Sequence, residues 1–169
     1  MRRILALMSV TATLMLAATT VSSAGAASGL SSVYVVAGVE TSIPTNNTST
    51  FAGGALGSGG DSAFWQASVA HAALSSCPFG SSASCAITGG SFSLTSSNGA
   101  QLAGSFTGGS VTPISQQTPC GKQVFGVSGA LATTSGPATF TAILTHYRTI
   151  LFGTCVTYFA TVTGSLQRA

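Results

Sequence analysis

Charge is what this chain has least of: Asp, Glu, Lys and Arg make up 4% of its 169 residues, against roughly a quarter in an ordinary domain. The five cations are Arg2, Arg3, Lys122, Arg148 and Arg168, too few and too scattered to displace counterions from a phosphate backbone, so nucleic acid is excluded as a partner. The two acids, Glu40 and Asp61, are the smallest set from which a glycosidase pair can be drawn. Both fall in or beside a long early loop, where solvated acids are expected. No C-x-x-C pair and no Cys/His cluster is present, which leaves no metal site. The glycines form neither a P-loop nor a G-x-G-x-x-G turn into a helix, and they read as turns and bulges, so no cofactor is implied. A G-x-S-x-G elbow is also missing; with serine so abundant, a Ser-His-Asp set among His71, His146 and Asp61 is available by coincidence.

What is present begins with Arg2 and Arg3, an apolar run from Ile4 to Val21 and the small residues Ala24-Gly25-Ala26. That layout predicts a secretory signal peptide over residues 1–26 and a secreted, extracellular mature chain with no membrane span. An uncleaved anchor is the alternative, the run being close to the roughly 18 residues that span a bilayer. Without Arg2 and Arg3, three cations face two acids and the mature net charge is +1. About 140 residues remain, enough for one domain with a core (27–169). Its surface is expected to be covered by Ser and Thr hydroxyls.

All four cysteines, Cys77, Cys85, Cys120 and Cys155, lie in the exported part. An even number in an oxidising compartment favours two disulfides, of which Cys77–Cys85 and Cys120–Cys155 are the preferred pairing. Asn46-Asn47-Thr48-Ser49 contains overlapping glycosylation sequons, which matter only on a eukaryotic secretory route.

From Gly89 onward the apolar residues alternate with period two and the connections are short. Phe92 and Leu94 lead into an Asn-Gly turn, and Leu102, Gly104 and Phe106 alternate on the way back. Phe125, Val127, Gly129 and Leu131 share a face in the next strand; Phe140, Ala142, Leu144, His146 and Arg148 do so in the one after. Val156, Tyr158, Ala160, Val162, Gly164 and Leu166 share a face in the last. SSVYVVAGVE is a strand by β-branched content. The Gly/Ser/Thr-rich stretch around 41–62 reads as an extended loop with at most a short strand near Phe51. Over 61–74 a capped helix competes with a strand, which the neighbours favour. These seven or eight strands predict an all-β fold: a single antiparallel meander β-barrel, with a two-sheet β-sandwich as the alternative. Glycines at positions read as inward, Gly104, Gly126, Gly129 and Gly164, suit a tight barrel. The hairpin ITGGSFSLTSSNGAQLAGSFTGG resembles those of meander barrels such as avidins and lipocalins, a likeness confined to that hairpin.

Alternation puts His71 with Trp65 and Val69, and His146 with Phe140 and Leu144, all toward the core. The simpler reading makes both structural histidines; the sharper one is a barrel mouth where His71, His146, Arg148, Trp65 and Tyr158 line a small ligand cavity. Arg148 has no acid near it in sequence, so an exposed strand end is its default and an anionic ligand its alternative. The chain thus reads as a secreted, non-enzymatic β-domain acting by binding, toward a small ligand, carbohydrate or another surface protein. A β-barrel ligand carrier is the alternative, and a secreted hydrolase or isomerase a more distant one.

Overall fold

The computed structural model describes residues 29–42, 47–73 and 83–169. The signal peptide expected over 1–26 lies outside them, as does Asn46 of the overlapping sequons, while Asn47, Thr48 and Ser49 are described. Eight strands follow one another: β1 Val33–Glu40, β2 Thr48–Gly57, β3 Ser62–His71, β4 Cys85–Ser96, β5 Gln101–Gln116, β6 Gln123–Thr133, β7 Gly136–Leu151 and β8 Thr154–Arg168. Each pairs antiparallel with the next, and β8 returns to β1, closing a meander barrel. The open-sandwich alternative falls with that closure.

The alternation expected from sequence becomes inside and outside. Tyr34, Val36, Trp65, Phe92, Leu94, Leu102, Phe106, Phe125, Leu131, Phe140, Val162 and Leu166 are buried in one core, while Ser91, Ser93, Thr95, Ser105, Thr139 and Thr141 are exposed. An apolar interior under a hydroxyl-covered wall is the reverse of a barrel that spans a membrane.

The stretch 41–62, expected as a loop, contains the ten-residue strand β2. Its glycines break the propensity signal, and packing explains them. Trp65 pairs with Gly53, which pairs with Gly38, so the indole lies across β2 toward β1 over two residues without side chains. A Cβ on Gly38 would come within 2.9 Å of the Trp65 ring, and one on Gly53 within 2.0 Å of the Ala37 carbonyl oxygen. The indole Nε1 donates to the carbonyls of Ala37 (3.2 Å) and Gly54 (3.0 Å), so the largest buried side chain keeps its polar atom satisfied. The preferred strand over 61–74 is present as β3.

Gly104, Gly129 and Gly164 lie on the inward face, but Gly126 alternates with Phe125 and Val127 and faces outward toward Ile114. Cys120–Cys155 is formed, with Cα atoms 5.9 Å apart, tying the β5–β6 loop to the start of β8. The Cys77–Cys85 pairing rests on Cys77, outside the described residues; Cys85 is fully buried at the head of β4.

Candidate functional site

The barrel has two unlike ends. At the lower end, where β1, β3 and β7 start, the Asp61 carboxylate accepts from the hydroxyls of Ser31, Tyr34 (2.6 Å) and Ser96 (3.0 Å). Ser31 Oγ also accepts from the amide of Gly59 (2.9 Å), and the Arg168 guanidinium donates to the carbonyls of Leu30 (2.9 Å) and Ser31 (3.2 Å). Burial alone would raise the Asp61 pKa, but the three hydroxyl donors outweigh it and hold the carboxyl below its ordinary value. The Tyr34 phenol is pushed up, by burial first and then by the Asp61 carboxylate beside it. The expected solvated loop acid is here a structural hub that bolts the segment before β1 across the barrel.

Above it the interior fills with an aromatic layer. Trp65 stacks on Phe92 at 6.3 Å, and Phe140 meets Trp65 (6.0 Å), Phe92 (6.3 Å) and, edge-on, Phe106 (6.3 Å). This layer separates the two ends. Glu40 and Asp61 lie on opposite sides of it, so they cannot flank one glycosidic bond.

Over the aromatic floor a cavity of about 50 Å³ remains. Its walls are Ala67, Val69, Val111, Phe125, Val127, Leu144 and Val162, and its polar residues are Ser49, His71 and His146. One water needs about 10–15 Å³ and a drug-sized ligand roughly 300 Å³ or more. A few waters or one short apolar group fit.

Both histidines arrive by strand alternation at the upper ends of β3 and β7. His71 Nδ1 lies 2.8 Å from the Ala72 carbonyl; with Nδ1 donating there, the tautomer that carries its proton on Nδ1 has Nε2 as an acceptor. His146 packs edge-on against Phe125 at 5.2 Å. Its Nε2 is 3.0 Å from Glu40 Oε2, with side chains 12% and 5% exposed. The approach is out of line for a hydrogen bond and leaves Nε2 without one; Glu40 Oε1, the oxygen that does not face the ring, is also buried without a hydrogen-bond partner. Such groups cost desolvation that no hydrogen bond returns; these two lie at the cavity, and a third, Arg168 Nε, lies at the lower end.

The structure brings Trp65, His71 and His146 around one cavity and leaves two expected residues outside it. Arg148 lies beyond the mouth, donating from Nε to the Gly121 carbonyl (2.8 Å) and from Nη2 to that of Gln117 (3.1 Å); its partners are carbonyls of the β5–β6 loop. Tyr158 is 66% exposed, because a bulge opposite Tyr147/Arg148 breaks the β8 alternation on which its inward placement rested. Glu40 was missed as a site residue, although it continues the Tyr34, Val36, Gly38 alternation into the interior.

A carboxylate, an imidazole and Ser49 are the residue types of a hydrolytic set, but among the described residues no hydrogen bond joins Ser49 to either ring. No group of three or more His, Cys, Asp or Glu side chains able to hold a metal occurs among them either. Compared with known proteins, the chain matches no family model, no curated sequence and no solved structure.

Proposed function

We propose that the mature chain is a secreted ligand-binding barrel, whose upper cavity takes the short apolar end of a small amphiphile and whose histidines bond its polar group. The observation that carries this is the pairing of an unfilled apolar cavity with buried polar atoms on Glu40 and His146 that have no hydrogen-bond partner. A cavity kept for packing tolerance has no need of an imidazole and a carboxylate at its rim. A ligand hydroxyl or carboxylate oxygen accepts from the His146 ring, and a ligand donor meets His71 Nε2. Glu40 acts through His146, holding the ring by the approach of its Oε2 to Nε2 at 3.0 Å. Export rests on the Arg2-Arg3 apolar leader and small-residue cleavage site; the Cys120–Cys155 disulfide is compatible with it.

Trp65 is the only tryptophan in the chain and forms part of the cavity lining, so its emission reports occupancy directly. Titration with short-chain alcohols and carboxylates gives a saturable change, weakened about tenfold in His146→Ala, the scale of one lost hydrogen bond to a charged group. It is abolished in Ala67→Leu, which fills the space. An unchanged emission across the series, or a response that survives Ala67→Leu, overturns the reading.

A further inference from the structure

Strands β7 and β8 run on past the barrel mouth as a hairpin, whose tip is Ile150-Leu151-Phe152-Gly153. Phe152 and Gly153 have φ of 49° and 80°, the pair of positive values that a type I′ turn requires and that Asn and Gly normally supply. A phenylalanine there is set against local preference, and its side chain is 96% exposed. Ile150, Leu151, Tyr158 and Phe159 beside it are also exposed large hydrophobics. The protrusion is held rigid from behind: Cys155 is bonded to Cys120, and Arg148 is tied to the Gln117 and Gly121 carbonyls.

Charge decides what fits this tip. Lys122 and Arg148 flank the base of the hairpin, with Lys122 5.3 Å over the Tyr147 ring. No acid faces outward near them: Glu40 is buried below the mouth and Asp61 sits at the opposite end among its hydroxyl donors. An apolar tip, a band of Tyr and Phe, then cations is the order in which a bilayer presents acyl chains, interface and anionic headgroups.

We infer that the β7–β8 hairpin is an anchor that inserts Phe152 and Leu151 into the surface of an anionic lipid bilayer. The cations of Lys122 and Arg148 rest at its headgroups, and the cavity mouth, at the same end, is turned toward the lipid. The anchor does not depend on the cavity being a ligand site.

Flotation of the signal-cleaved protein with phosphatidylcholine vesicles, with and without phosphatidylglycerol, tests it. Binding is expected to rise with the anionic lipid, by about fivefold per cation. Phe152→Ser lowers binding about tenfold, as removal of a buried aromatic side chain does, and Lys122→Gln removes most of one charge's increment. Leu56→Ser, also apolar and exposed but on the outer wall at the lower end, leaves binding unchanged. Circular dichroism melts confirm that the variants fold. Equal binding to both vesicle types, no binding to either, insensitivity to Phe152→Ser, or a dimer in solution that Phe152→Ser dissolves each overturns the inference.

Discussion

The lower and upper ends of this barrel are made from the same eight strands and the same kind of residues, yet they handle their carboxylates in opposite ways. At the lower end one carboxylate meets three hydroxyls, and the interior between Tyr34, Leu94, Leu102 and Leu166 is filled. At the upper end a carboxylate and an imidazole face each other out of line, beside a cavity. Satisfied polar networks specify and stabilise, whereas partly satisfied ones cost stability. On the proposed reading, the lower end serves stability and the upper end binding.

That contrast can be broken most forcefully at the covalent link. The Cys120–Cys155 bond closes a separation of 35 residues, and Cys120→Ser with Cys155→Ser is expected to lower the unfolding free energy by about 3–4 kcal/mol, chiefly by freeing the unfolded chain. Urea denaturation measures it. Hydrogen exchange should rise at the base of the β7–β8 hairpin and leave the lower end unchanged relative to global unfolding. Uniform acceleration at both ends would mean that the hairpin is not a separately held element.

The next largest effect belongs to the lower end. Asp61→Ala leaves Ser31, Tyr34 and Ser96 short of their shared acceptor and is expected to cost about 2–3 kcal/mol. The same network sets an acid limit. Because the folded-state pKa of Asp61 lies below its ordinary 3.8, the unfolded chain binds the proton first. The stability contributed is present above the unfolded value and is lost as pH falls through the folded one. Tyr34 works in the other direction: its raised pKa means stability is lost as pH climbs above 10.0. Thermal melts from pH 2 to 5, scaled roughly to that carboxylate window, should lose their acid slope in Asp61→Ala. An unchanged slope would place the acid sensitivity elsewhere.

The barrel was legible in sequence wherever strands alternate cleanly, because a closed meander imposes period two on every strand and short turns between them. His71, His146 and Trp65 were found by that rule alone. Where the rule was not followed far enough, or was broken by packing, residues were misplaced. Glu40 continues the alternation of β1 but was read as a solvated acid in or beside the loop, since a charged residue at a strand end normally faces water. Strand β2 was hidden because Trp65 demands glycines beneath it, and those glycines erase the strand's own signal. Tyr158 and Arg148 lie past a bulge, which no residue in β7 or β8 announces. The cavity itself depends on the volume left by side chains from six strands and is not written in any one segment.

The smallest expected stability change is also the most direct test of the account. Glu40→Leu with His146→Leu replaces the misaligned pair by apolar side chains, a substitution that is commonly neutral or stabilising. The melt and the Trp65 titration are run on the same protein. The account predicts a melting temperature equal to or above that of the parent, together with loss of the ligand-induced change in emission. A clear fall in melting temperature, or an intact titration, would show that this end, too, is built for stability.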